Sequence, residues 1–228
     1  MAKVNDQLLT VIDEEGDTIL VLKKPLEKLK DWPESPVDSI RAAASDSEDG
    51  SDIERGDVET AGGDHLESTP EFHFQVSSTQ LKNASKYFRN MFASGFSETV
   101  PDPDDGRYHI TAENFNPKAF EVVMNIIHVK TSRLPKRVDL ELLAHIAILI
   151  DYYDMKDAVS FHAEIWAKAV ARKKFPTTYC RDLVLRTFVA GTFGDKKNFK
   201  RGADVIVKES DGPIPDLGLP MFGLAGEI

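Results

Sequence analysis

Residues 71–92 constrain this chain more than any other part of it: EFHFQVSSTQLKNASKYFRNMF. The first six alternate. Phe72, Phe74 and Val76 point one way while Glu71, His73 and Gln75 point the other, the pattern of a strand with one buried face. The period then changes to three- and four-residue steps at Leu81, Tyr87, Phe88, Met91 and Phe92. Ser85 stands where an N-cap hydroxyl accepts an orphan helix amide. A strand therefore feeds two short helices whose aromatic faces need a common core. The stretch holds no nucleophile beside a base, no phosphate cradle and no ligand set. It is a packing element, and the rest of the chain must supply its partners.

The other elements follow the same logic. Residues 8–23 show two apolar runs around Glu14-Glu15-Gly16-Asp17, which predicts a hairpin with a buried strand over 18–22. Tyr108 to Thr111 predicts a short strand. Asn116-Pro117 opens a helix with a cap and a first-turn proline, and Phe120, Val123, Met124 and Ile127 form its apolar stripe. Asp139 caps a helix over 140–153 that is apolar on most of its circumference, as a central core helix is. A further helix over 156–172 is expected to turn Val159, Ile165, Trp166 and Ala169 inward. Pro176 opens a second unit: a helix near 177–189, a break at Gly191 to Gly194, then a helix from Asp195 to about Lys208.

Charge is concentrated in one place. Of the 38 acids and 28 bases, residues 31–70 hold twelve acids and only Arg41 and Arg55, so the remainder carries 26 of each sign. Residues 23–70 read as a disordered acidic insert, because a Ser/Asp/Glu-rich segment with four prolines buries too little surface to offset its ordering entropy. Leu26, Leu29 and Trp32 could form one amphipathic turn at its start. Ser45 and Ser51 each precede a glutamate by three residues and are candidate phosphorylation sites for an acid-directed kinase. The plainer alternative is a tolerated loop insertion.

The same features exclude several functions. A balanced folded part offers no basic face for nucleic acid. The longest apolar run, residues 142–150, falls well short of the ~20 residues a membrane span needs. The single Cys180 rules out a disulfide framework or a multi-cysteine zinc site and suits an intracellular setting, cytoplasmic or nuclear. Arg172-Lys173-Lys174 reads as a helix C-terminus favoured by the dipole, with a nuclear import signal as the alternative. Asp102, Asp104 and Asp105 lack the glycine and distal glutamate of a calcium loop and read as a solvated turn. His145 reads as a packed histidine. The six histidines sit on different elements, and no HExxH, GxxxxGK[ST] or GxGxxG spacing occurs. No enzyme, cofactor or metal is expected.

Strand, Leu81, Ser85, Tyr87-Phe88 and Met91-Phe92 together resemble the signature segment of the BTB/POZ domain, a hydrophobic strand, a leucine, then S-x-[YF]-F-x-x-M-F. Many family members place a histidine just after the strand, where this chain has Ser77. ITAENFNPKAFEVVMNIIH resembles the family's continuation, with His128-Val129-Lys130-Thr131 in place of the usual Y-[ST]-G, and DYYDM followed by a helix resembles its last two helices. TFGD (192–195) and ESDGP (209–213) resemble the region after the domain in many fungal proteins.

The resemblance implies an α+β fold, a small β-sheet flanked by short helices, with a helical C-terminal extension. Its parts would be a first strand within residues 1–22, the insert over 23–70, the remainder of the domain over 71–174 and the extension over 175–228. The strand over 18–22 should pair with that over 72–76. It further implies a module that binds other proteins, self-associates as a homodimer and recruits partners. Family cullin adaptors carry a hydrophobic residue, any residue and a glutamate after the M-F helix, which makes Phe96, Ser97 and Glu98 the candidate cullin contact. The alternatives are a scaffold or transcription-linked oligomer without ligase contact, and a monomeric hub whose acidic insert binds basic partners. Family dimers often use a helix before the first strand, and only about seven residues stand before the hairpin here.

Overall fold

The structure, a computed structural model, describes residues 9–33, 70–95, 99–172, 174–215 and 217–220. Strands β1 (Leu9–Val11), β2 (Thr18–Lys23), β3 (Phe72–Val76) and β4 (Tyr108–Glu113) form one mixed sheet in the order β1-β3-β2-β4. Around it stand α1 (Ser78–Ala84), α2 (Lys86–Ala93), α3 (Pro117–Ile127), α4 (Leu140–Tyr152), α5 (Lys156–Ala171), α6 (Arg181–Thr192) and α7 (Lys196–Glu209), with a 3-10 turn at Thr131–Arg133. The architecture is the expected α+β one.

β2 is the axis of the sheet. It runs antiparallel to β3, from Thr18↔Val76 to Leu22↔Phe72, and parallel to β4, from Thr18↔Tyr108 to Lys23↔Glu113. The expected pairing of the two distant segments therefore holds. Leu20, Leu22 and Val76 are fully buried and Phe74 nearly so. Each such side chain contributes about 1.5–3 kcal/mol when fully buried.

The hairpin expected over residues 8–23 does not close on itself. β3 lies between β1 and β2, and β1 pairs with it in parallel, Leu9↔His73 to Val11↔Gln75. The cause is the far side of β3. Gln75, on the polar face, is buried under the β1–β2 turn. Its backbone oxygen accepts from the amides of Ile12 and Asp13, and its Nε2 donates to Glu14 O and Gly16 O. The turn thus wraps the end of β3. A Cβ at Gly16 would come within 2.6 Å of Val76 O, so only glycine fits there.

The start of the acidic segment is also structured, and the boundary expected at residue 23 moves. Leu29 is 3 % exposed, and Leu26 and Trp32 pack on the same core. Hydrogen bonds tie this strap down: Leu26 N–H to Phe115 O, Leu29 N–H to Glu141 Oε1, and Lys30 N–H to Leu217 O. Arg181 closes it. Its guanidinium forks onto both Glu141 oxygens at 2.6 and 2.9 Å and also donates to Leu29 O and Lys30 O. Partial burial works against the Glu141 charge, but Arg181 and the Leu29 amide outweigh it and hold the carboxyl below its usual range.

The C-terminal helices do not form a second unit. Leu183, Val184, Leu185, Phe188 and Ile206 belong to the same core as the sheet, and α6 packs along α4. Helix α6 begins at Arg181 rather than near Thr177, with Cys180 at its N-cap. Phe175 sits against the guanidiniums of Arg186 and Arg201 at 5.9 and 4.8 Å, in cation–π geometry. In α5, Val159, Ala163 and Trp166 form the buried line. Ile165 is 49 % exposed and Ala169 is exposed, against expectation, because that line already occupies the stripe facing α3 and α4.

Gly16→Ala should lower the unfolding free energy by about 2 kcal/mol in a urea titration, since the added methyl meets backbone that cannot step aside. A loss under roughly 0.5 kcal/mol would mean that the turn does not sit on β3.

Candidate protein-interaction surface

Three polar clamps position the α1–α2 pair. Each satisfies groups that the end of a strand or the start of a helix leaves open. At the first, both carboxylate oxygens of Asp17 accept from Ser78, one from its amide at 2.6 Å and the other from its hydroxyl at 2.7 Å. Partial burial opposes the Asp17 charge, but the Ser78 and Thr18 donors prevail and keep its carboxyl below the usual range.

At the second clamp, Ser77 occupies the N-cap of α1 without a side-chain capping bond. Its amide donates to His128 Nε2 at 2.9 Å. An amide can only donate, so Nε2 carries the lone pair, and Nδ1–H donates to Met124 O at 2.8 Å. The imidazole is held neutral: burial lowers its pKa, helped by Lys130 and opposed by the Met124 bond and Asp13. A histidine from the end of α3 thus binds the position where many family members carry their own.

Ser85 forms the third. Its hydroxyl accepts from Phe88 N–H, the predicted N-cap of α2, and donates to Tyr153 O at the end of α4. The cap and the tertiary contact are one side chain.

Above these clamps runs a continuous set of rings. Phe74 stacks on Phe120 at 5.1 Å and Phe88 on Tyr153 at 4.8 Å. Phe115 touches Phe120, Tyr152 and Tyr153. Tyr87 meets Phe88, Tyr152 and Tyr153. The set begins in the core and ends in solvent: Phe88 and Phe120 are fully buried, while Tyr87 is 41 % and Tyr152 58 % exposed. Between Tyr87, Tyr152 and the end of β4 lies an open cleft of about 480 Å³. Rigid aromatics held from behind and presented at a cleft suit protein recognition.

The sequence-derived site residues fare as follows. Phe96, Ser97 and Glu98 follow α2 directly but lie outside the described residues, as do Ser45 and Ser51. The aspartates of the 102–105 turn serve as turn acceptors: Asp102 for the Asp104 amide, Asp105 for the Arg107 amide and for His109 at 3.0 Å. His145 is packed, 4 % exposed, with burial lowering its pKa. Among the described residues no group of three or more His, Cys, Asp or Glu could hold a metal ion, and no helix is long and apolar enough to cross a membrane. Sequence reasoning missed Tyr152, Asp17 and His128. Adjacent tyrosines at the end of an apolar helix were the one available signal for the first; nothing local marks the other two, whose partners are 61 and 51 residues away.

A small mixed sheet roofed by short helices thus carries a buttressed aromatic surface. Residues 67–166 match the BTB/POZ domain family model, which makes this span of the chain a BTB/POZ domain. No curated protein matches it. Strand β2 and helices α6 and α7 stand outside the matched span, although they share the sheet or the core with it.

Ser85→Ala should cost about 2 kcal/mol, the sum of a lost cap and an unpaired buried carbonyl, read by urea unfolding. His128 sets a pH dependence. Its folded pKa lies below the ordinary 6.5, so the unfolded chain binds more protons just below that value. The stability it contributes is complete above about pH 6.5 and falls as pH drops further, by at most about 1.4 kcal/mol per unit. His145, lowered in the same direction, acts in the same window. Melting temperatures measured from pH 7.5 to 5 should fall in the wild type and fall less steeply in His128→Gln.

Proposed function

We propose that this protein works as a non-enzymatic recruiting module that self-associates and holds other proteins, and that its specific role is substrate adaptor of a cullin-based ubiquitin ligase. The observation that carries the recruiting role is the Tyr87–Tyr152 surface, two half-exposed rings braced by Phe88, Phe115 and Tyr153. Family membership supports the same reading, since BTB/POZ domains are interaction modules.

The adaptor role rests on sequence. Phe96-Ser97-Glu98 follows the Met91-Phe92 end of α2, as in family adaptors. A hydrophobic residue and a glutamate two positions on would fill one apolar pocket and meet one cation on the partner. The serines of the acidic segment, Ser45 and Ser51, are then candidate phosphorylation sites through which a kinase could tune recruitment.

The purified chain should retain a cullin N-terminal domain in a pull-down, and Phe96→Ala with Glu98→Ala should abolish that retention while leaving the melting temperature unchanged. A wild type that never retains cullin removes the adaptor role and leaves a scaffold without ligase contact.

A further inference from the structure

β4 is the last strand of its sheet, and among the described residues no strand pairs with its outer edge. The amides of Tyr108 and Asn114 donate to Asp17 O and Lys23 O on β2. That fixes the phase of the ladder: the N–H and C=O groups of even-numbered residues face β2, and those of His109, Thr111 and Glu113 face away from it. No outward group of these three has a backbone partner among the described residues. The side chains agree with the phase. Ile110 and Ala112 are buried, whereas Thr111 is exposed and His109 and Glu113 are about 36 % and 41 % exposed along their side chains. Proteins usually shield such an edge with proline, lysine or a bulge. β4, YHITAE, has none of these.

The edge is self-complementary. We propose that it is a homodimer interface, in which a second copy of this chain adds its own β4 antiparallel about a twofold axis through Thr111. This rests on the self-association proposed above and names its surface. The axis sets Thr111 opposite Thr111 of the second copy and His109 opposite Glu113. All three pairings fall on outward groups, so each exchanges two N–H···O bonds. Charge alternates along the exposed face. Asp105 already holds His109 at 3.0 Å and Lys24 already holds Glu113 at 2.9 Å. Pairing lines these up as Asp105, His109, then Glu113 and Lys24 of the second copy: acid, base, acid, base. Threonine–threonine and opposite-charge pairs directly across antiparallel strands are each favourable. On the other face, Tyr108 of the second copy comes opposite Asn114, at the mouth of the cleft between Tyr87, Phe115 and Tyr152.

Thr111 provides the test. The Cα atoms of a hydrogen-bonded antiparallel pair lie about 5.5 Å apart, within disulfide reach. In a Cys180→Ser background, Thr111→Cys should form a covalent dimer under mild oxidation, and Val207→Cys, on an exposed site of α7, should not. Thr111→Pro removes an amide that faces away from β2, so the ladder is kept. It should weaken the dimer at least roughly tenfold in sedimentation velocity with an unchanged circular dichroism spectrum. If this variant fails to fold, the cysteine result decides. A wild-type dimer that Thr111→Pro leaves intact and Thr111→Cys does not cross-link overturns the assignment of β4 while self-association stands. A wild type that stays monomeric, or takes up an extended peptide at β4 in place of a second copy, overturns both.

Discussion

The double pairing of β2 is the constraint from which the rest follows. Five of its six residues are buried, and it bonds to β3 on one side and β4 on the other. Its partner on β3 arrives about fifty residues later in the chain, so closing the sheet orders a long loop before any contact forms. That cost rises only by about 0.6 kcal/mol for each doubling of loop length. Burial of Leu20, Leu22, Phe74 and Val76 exceeds it comfortably. Once β2 is seated, the β1–β2 turn can lap over Gln75, and α1 can start where Asp17 presents its carboxylate to Ser78.

The interaction surface inherits its rigidity from this arrangement. Ser85 joins the start of α2 to the end of α4, and His128 joins the end of α3 to the start of α1. Each connection is a buried polar contact with both partners satisfied, so displacement of any one helix would leave a donor or acceptor without water or protein. The aromatic side chains sit beside helix ends that these contacts hold in place. A partner meeting Tyr87 and Tyr152 therefore pays little ordering entropy on the protein's side.

Local pattern made part of this legible from the amino acids alone. The strand over 72–76, the Ser85 cap, the Asn116-Pro117 start and the Asp139 cap all appear where the local pattern puts them, although the strand buries Gln75 as well as Phe74 and Val76. The misses share a cause. Nothing near residues 9–11 says that they pair with β3 instead of β2; the reason is the buried far face of Gln75. Leu29 was assigned to a polar segment by its neighbours, while its burial depends on Glu141 and Arg181. Ile165 was counted inward because the helix offers more apolar residues than one contact stripe can take. The cullin and phosphorylation candidates were legible only as short motifs, which have no packing to fix them.

Arg181 and Glu141 lead to a different boundary from the one that family membership draws. Their fork is the point where the leading strap, the central helix and the trailing helices meet. The matched span stops at residue 166, yet beyond it α6 packs along α4, with Leu143 facing Val189 and Phe193 across one pocket. A fragment trimmed to the recognised domain would strip the lid from that greasy flank and leave one carboxylate without its cation. The leading strap, the matched span and the trailing helices draw on one shared hydrophobic core.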